Sequence, residues 1–486
     1  MEILKSAPSP RLIGEFKMRR LIILVSLLLL SQNYSTAQNR PFPQNVNYPY
    51  GFRTTLISPD AIQNYYNSWK NIFLIKCNDM YRIGTEDLNR TISESIGYGM
   101  LLTAYHGDKE YFDGLFDFYK SKRTDNAYGL MAWEVTCDGI TDPGSATDGD
   151  LDVAFALIVA YNQWGGNYLE EAKYILSILK TYYFVKCGRG YYTMKPGGQF
   201  GGCNLTDLSY YTPGYFRVFE EVTGDSFWGT AAEHSYVLLQ NGANDTTGLV
   251  PDWMSFDGIP GGSGRTGYYH YDAARTPWRF SLDYIWNGNS EAEAWCTKVT
   301  NFAASIGASS IVDGYDLDGT PRGQYNNSAF VGGFAVGAMC NSRAIVDEFA
   351  GRLLQLNNSI SAGQYFNTSL KNIYMLVLTG NFWNPVAEAT DIKEKVSLPV
   401  GYKLEQNYPN PFNPVTKINY AVPHKTHVKL EVYDILGNDI TTLVNEEKQA
   451  GIYEVDFMPT YLSSGLYFYQ LKADDYIETK KMILLR

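Results

Sequence analysis

Between about residue 58 and residue 380 the apolar residues of this chain recur mostly at helical period. Clusters of Gly, Pro, Asn and Asp separate the periodic segments. The pattern predicts roughly twelve helices, beginning near Asp60, Ser93, Lys109, Asp150, Tyr168, Leu208, Ser226, Ala273, Ser290, Ser328, Ser342 and Ser369. Two stretches, Leu151–Ala160 (LDVAFALIVA) and Ala329–Met339 (AFVGGFAVGAM), are apolar on every side, so each must be surrounded by protein. Others, such as Glu170–Lys180, carry a charged face. Fully buried helices alternating with half-exposed ones imply two concentric layers, an inner ring inside an outer ring. The Gly-rich connections, such as Gly258–Gly267 (GIPGGSGRTG), then lie at one end of that barrel.

After Pro385 the period changes. Residues 386–396 (VAEATDIKEKV) read as a charged linker, and from 397 to 486 short alternating segments predict strands. These are Lys417–Val422, Val428–Tyr433, Ile452–Phe457 and Leu466–Leu471, with turns at Leu436-Gly437-Asn438 and Ser463-Ser464-Gly465. The expected fold is therefore mainly α, a catalytic-sized helical barrel over residues 45–385 followed by a small all-β sandwich. Near the N-terminus, Met18-Arg19-Arg20, the apolar run Leu21–Leu30 and Ser35-Thr36-Ala37 form a basic, apolar and small-residue sequence. That pattern predicts a leader and signal peptide over residues 1–37, cut near Ala37, with Met18 as the expected physiological start. A membrane anchor is the competing reading, but a stable span needs about twenty apolar residues. With no other long apolar run, the expectation is a secreted or cell-surface protein with no integral membrane segment in its mature form.

Composition narrows the function. Net charge is −11, from 40 Lys and Arg against 51 Asp and Glu, which opposes electrostatic nucleic-acid binding. Aromatic residues reach 15%, with 39 Tyr, 24 Phe and 9 Trp, a supply of flat apolar surfaces with polar rims. The six Cys make no CxxC or Cys/His metal pattern and suggest no disulfide framework. Cys187 and Cys203 are spaced to close a short loop, with lone buried thiols the equal alternative. Neither GxxxxGK[ST], HExxH nor GxSxG is present, and the five His are scattered, so no metal and no cofactor are expected. Carboxylates remain as the acid and base chemistry, and a carboxylate pair with aromatic platforms is what glycosidic cleavage requires.

Three places hold candidate acids. Glu94 lies in Ser93-Glu94-Ser95-Ile96-Gly97-Tyr98-Gly99-Met100, at the first turn of an apolar helix, where an acid either caps the helix or opens into a cleft. Asp148, Asp150 and Asp152 head the most apolar helix, and three acids in five residues exceed what capping needs. Asp272 precedes Arg275 by one helical turn, close enough to pair with it, as a site or as a plain structural ion pair.

Together these segments resemble glycoside hydrolase family 8. The resemblance rests on Ser93-Glu94-x-x-Gly97-Tyr98-Gly99-Met100, Ala146-Thr147-Asp148-Gly149-Asp150-x-x-Val153-Ala154, Tyr271-Asp272-Ala273-x-Arg275 and Leu378-Thr379-Gly380-Asn381-Phe382. Leu130–Trp133, Lys195–Gly197, Leu249–Trp253 and Ile311–Tyr315 support it. It implies an (α/α)6 barrel with an open cleft and an inverting mechanism. Residue by residue it implies Glu94 as general acid, Asp272 as the base that activates water, and Asp148 as the residue gripping the distorted sugar. Trp133, Tyr210, Tyr271 and Arg275 match cleft positions. The implied substrate is a β-1,4-linked polysaccharide, cellulose-type glucan first, with xylan, chitosan and lichenan as alternatives. Phe200 stands where cellulose-cleaving members tend to have Trp. In the tail, Leu404–Pro414 (LEQNYPNPFNP), Asp434-Ile435-Leu436-Gly437 and Lys480-Lys481-Met482 resemble the C-terminal sorting domain read by type IX secretion machinery. A carbohydrate-binding module is the competing reading of that tail.

Overall fold

In the computed structural model of the protein, residues 40, 42–386, 401–407, 409–448, 451–459 and 462–485 are described. The expected leader and nearly all of the linker lie outside them. The chain divides into two compact units, within residues 1–388 and 389–486. Among the described residues of the first unit are twelve α-helices: α1 (Pro59–Phe73), α2 (Ser93–His106), α3 (Lys109–Ser121), α4 (Thr147–Trp164), α5 (Tyr168–Tyr182), α6 (Pro213–Thr223), α7 (Phe227–Gly242), α8 (Thr276–Asn287), α9 (Ser290–Ile306), α10 (Ser328–Gly337), α11 (Arg343–Gln355) and α12 (Tyr365–Thr379).

The even-numbered helices form the inner ring. α2 packs on α4, α6 on α8, α8 on α10, α10 on α12, and α12 returns to α2. Between α4 and α6 the rings of Phe155 and Tyr215 stack 3.6 Å apart. Each odd-numbered helix packs outside the inner helix before it, with α1 closing onto α12. Burial follows the hydrophobic pattern: every residue of α10 is buried, whereas α11 buries only Val346, Phe349, Ala350 and Leu353. This is the (α/α)6 barrel implied by the sequence. Among the described residues no helix is long and apolar enough to cross a membrane.

The helix starts differ from expectation at four places. α4 begins at Thr147 and α12 at Tyr365, a turn earlier than the periodic pattern. The starts expected near Leu208 and Ala273 are short 3-10 turns, Leu208–Tyr210 and Ala273–Arg275. The helices proper follow at Pro213 and Thr276, with Pro213 or Pro277 in the first turn, where the missing N–H is not needed.

α2 and α4 pack tightly at their N-terminal ends, and glycine permits it. A Cβ on Gly149 would lie 2.4 Å from the Ser93 carbonyl carbon, and one on Gly97 would lie 2.9 Å from Asp152 Cβ. The two glycines of the Glu94 and Asp148 motifs thus bring those two acids side by side.

Short strands fill the connections: the hairpin β1 (Leu74–Cys77) and β2 (Met80–Ile83), the ladder β3 (Thr91–Ile92), β4 (Glu134–Val135) and β5 (Ile140–Asp142), and the hairpin β6 (Phe184–Cys187) and β7 (Tyr191–Met194). Two disulfides staple them. Cys187–Cys203 closes the short loop that the spacing allowed. Cys77–Cys137, 60 residues apart, corrects the expectation that the cysteines make no framework, because only the fold brings β1 beside the β4–β5 turn. Cys296 and Cys340 remain buried thiols.

The second unit holds two sheets, ordered β11-β10-β13-β14 and β12-β9-β8. Their strands are β8 (Lys403–Leu404), β9 (Thr416–Val422), β10 (Thr426–Tyr433), β11 (Asp439–Lys448), β12 (Gly451–Phe457), β13 (Gly465–Ala473) and β14 (Tyr476–Leu484). Leu404, Phe412, Ile418, Val428, Leu471 and Met482 are among the buried residues that form one core. The strands β11 (DITTLVNEEK) and β14 (YIETKKMIL) escaped the pattern because neither alternates regularly between apolar and polar residues.

Removing the Cys77–Cys137 link by replacing both residues with Ala should lower stability by about 4 kcal/mol, and removing Cys187–Cys203 by about 3 kcal/mol. Urea unfolding of each variant checks both values.

Candidate active site

Arg275 is the centre of the site, 1% exposed, in the turn that leads into α8. Its Nη1 donates to Glu94 Oε2 at 2.6 Å and Asp148 Oδ2 at 3.0 Å. Its Nη2 donates to Asp272 Oδ1 and Ser209 Oγ, both at 2.9 Å. A fourth acid, Asp207, has Oδ2 3.9 Å from the same nitrogen. One turn further, Arg279 forks onto Asp152 at 2.6 and 2.7 Å. Asp148 and Asp152 are spaced i,i+4 on α4, and Arg275 and Arg279 share that spacing. The two pairs therefore form a two-rung ladder through the barrel interior.

This separates the three aspartates that head α4. Asp148 faces the site. Asp152 is held by Arg279, and Asp150 points the other way, accepting from Tyr119 Oη at 2.6 Å. Burial pushes the Asp150 carboxyl up to about 8. Asp148 also accepts from the Gly149 N–H at 2.9 Å, at the positive end of the helix.

Glu94 does not cap α2. The Ile92 N–H is capped by Ser95 Oγ instead, and both Glu94 oxygens face inward, Oε1 accepting from Tyr365 Oη at 3.0 Å. Burial drives the Glu94 pKa up to about 8; the charge of Asp148 adds to this, while Arg275 and the Tyr365 hydrogen bond oppose it. Burial, with Asp272 adding to it, likewise raises Asp207 well above the usual carboxylate range.

Asp272 is the open acid. Its side chain is 32% exposed, against 11% for Glu94 and 3% for Asp148, so it alone of the three has ready access to water. Trp253 Nε1 donates to its Oδ2 at 3.0 Å. Asp252 fixes the backbone on either side of it, accepting from the N–H of His270 at 2.9 Å and of Ala273 at 2.8 Å. The Asp252-Trp253 dipeptide thus sets both the position and the hydrogen bonding of Asp272.

The expected cleft residues are placed unequally. The Tyr210 ring lies 5.4 Å from the Arg275 guanidinium carbon and 6.4 Å from Trp253. Trp133 is half-buried, its carbonyl accepting from the Ser93 N–H at 2.9 Å while Arg90 covers its ring. Tyr271 adjoins Asp272, but its hydroxyl turns to Asp313 Oδ2 at 3.1 Å. Phe200, exposed at the surface, meets Trp253 and Arg265. Tyr365, Asp207 and Ser209 were not singled out from sequence. Nothing in their local spacing distinguishes them, whereas Asp252 and Trp253 stand within a stretch already noted. Among the described residues no group of three or more His, Cys, Asp or Glu is arranged to hold a metal ion.

A carboxyl whose folded pKa is raised binds its proton more tightly in the native state, so stability falls with pH between its unfolded and folded values. Glu94 should therefore contribute a decline between about pH 4.3 and pH 8. Urea unfolding across pH should show a shallower decline in Glu94→Gln. Arg275→Met, which strands several buried acids, should destabilise by about 3–5 kcal/mol, read from the same unfolding curves.

Residues 40–380 match the family described as glycosyl hydrolases family 8, and residues 406–485 match the secretion system C-terminal sorting domain. Endoglucanase 2 of Ruminiclostridium josui is 33% identical over 75% of this chain and 81% of that protein. Endoglucanase A of Acetivibrio thermocellus is 33% identical over 76% of this chain and 79% of that protein. Among solved structures, the apo β-1,3-1,4-glucanase of Paenibacillus sp. X4 superposes with a TM-score of 0.64 at 27% identity, covering 71% of this chain and 99% of that one. With its family motifs meeting on one buried arginine inside an (α/α)6 barrel, this chain belongs to glycoside hydrolase family 8 and carries a C-terminal sorting domain.

Proposed function

We propose that the protein is an inverting endo-β-1,4-glucanase that cleaves cellulose-type β-glucan outside the cell. The observation that carries the reading is the contrast between two acids on one guanidinium. Glu94 is buried with a pKa raised to about 8, while Asp272 is open to water and held by Arg275 and Trp253. A general acid must be neutral at working pH, and a general base must be ionised beside a water molecule.

In this reading the glucan lies over Trp133, Tyr210 and Tyr271. Glu94 protonates the departing glycosidic oxygen. Asp272 takes a proton from a water that attacks the anomeric carbon from the opposite face. Asp148, fixed by Arg275 and Gly149, hydrogen-bonds the distorted ring at the scissile position. As Glu94 gives up its proton, Arg275 stabilises the carboxylate left behind, and Tyr365 keeps it oriented. Endoglucanase relatives, and the glucanase whose fold it shares, support β-glucan as the substrate. A polymer of this size is met outside the cell, and the sorting tail supports export to the surface or medium by type IX secretion machinery.

Activity on carboxymethylcellulose, lichenan, xylan and chitosan tests substrate choice, with the β-glucans expected to be cleaved fastest. Glu94→Gln and Asp272→Asn should each lower kcat at least a hundredfold. The kcat/KM of the wild type should fall as pH rises through about 8, because the acid must be protonated to act. NMR of the first product should show the α anomer from β-linked substrate, the outcome of a mechanism that needs its two carboxyl groups roughly 6.5–9.5 Å apart; a β product would overturn inversion.

A further inference from the structure

Beside the Tyr271-Asp272 segment lies an open recess of about 140 Å³, with Tyr268, His270, Asp313, Arg322, Gln324 and Tyr325 in its walls. Its shape follows from the backbone. Tyr269 pairs with Tyr315 through two 3.0 Å hydrogen bonds, so the segment leading to Asp272 runs antiparallel to the one carrying Asp313. Tyr269 is buried, which by strand alternation turns Tyr268 and His270 toward the recess. Asp313 joins the two walls. Its Oδ1 accepts from the N–H of Gln324 at 2.8 Å and Tyr325 at 2.9 Å, and its Oδ2 from the Tyr271 hydroxyl at 3.1 Å. Gly323 makes this closeness possible, since a Cβ there would lie 2.3 Å from Asp313 Oδ1. The far wall is therefore rigidly tied to the residue that precedes Asp272.

The chemistry of the walls suits a neutral polyhydroxylated ring. Arg322 is paired with Asp316 at 2.5 Å and stacks on Tyr268, and Asp313 already accepts three hydrogen bonds. The one guanidinium of these walls is thus already paired, and the Asp313 oxygens are occupied by neutral donors of the protein itself. Tyr325, 66% exposed, offers an aromatic face, and Gln324 offers an amide donor and acceptor, the pairing that sugar recognition uses. We propose that this recess is a sugar subsite holding one glucosyl residue of the chain away from the scissile bond, and that Gln324 and Tyr325 make the enzyme favour longer chains. The inference rests on the β-glucanase reading and adds a named determinant of chain length.

The test compares wild type with Gln324→Ala, Tyr325→Ala and the double variant on cellotriose and cellohexaose, with melting temperatures to confirm intact folding. The double variant should show a kcat/KM on cellohexaose lowered about tenfold through KM, with kcat and all cellotriose kinetics unchanged. The bonds cleaved in cellohexaose should also shift. Equal losses on both substrates, or no loss on either, would overturn the subsite while leaving the glycosidase reading intact. A wild type that cleaves neither these oligosaccharides nor any β-glucan polymer would overturn both.

Discussion

One buried guanidinium organises this enzyme. Arg275 is almost fully enclosed and has Glu94, Asp148, Asp207 and Asp272 around it. Four ionised carboxylates about a single cation in a low-dielectric interior would repel strongly, so the cluster is stable only if some acids keep their protons. Glu94 and Asp207 are pushed up, with burial the first cause for both, while Asp272 sits at the open edge. The contrast between an enclosed Glu94 and an open Asp272 is thus set by where each carboxyl meets the same guanidinium.

The barrel exists around this cluster in a literal sense. The inner helices α2 and α4 begin where their first turns deliver Glu94 and Asp148, and the Gly97 and Gly149 contacts set how close those ends come. The Arg279–Asp152 rung below Arg275 ties the same elements one turn deeper. The hairpins and disulfides sit in the connections between helices, where they order loops that a helical core cannot hold by packing.

Much of this was legible in the sequence. All-apolar helices such as α10 could only be inner ones, and the motif residues Glu94, Asp148, Asp272 and Arg275 do converge. Convergence itself was not legible, because it depends on long-range packing: Glu94 and Arg275 are 181 residues apart. For the same reason Tyr365, Asp207 and the Cys77–Cys137 bridge were missed. They carry no local period, and only the closed ring makes them neighbours. The hydroxyl of Tyr271, a residue expected to line the cleft, bonds Asp313, an orientation that spacing alone does not encode.

The central claim is that the free enzyme holds Glu94 protonated at neutral pH while Asp272 stays available as the base. Its most direct test is a carboxyl-carbon NMR titration of protein carrying ¹³C-labelled glutamate, with the Glu94 signal assigned by its loss in Glu94→Gln. The account predicts that this carboxyl titrates at about 8. Titration near 4.3, the value of an exposed glutamate, would contradict it.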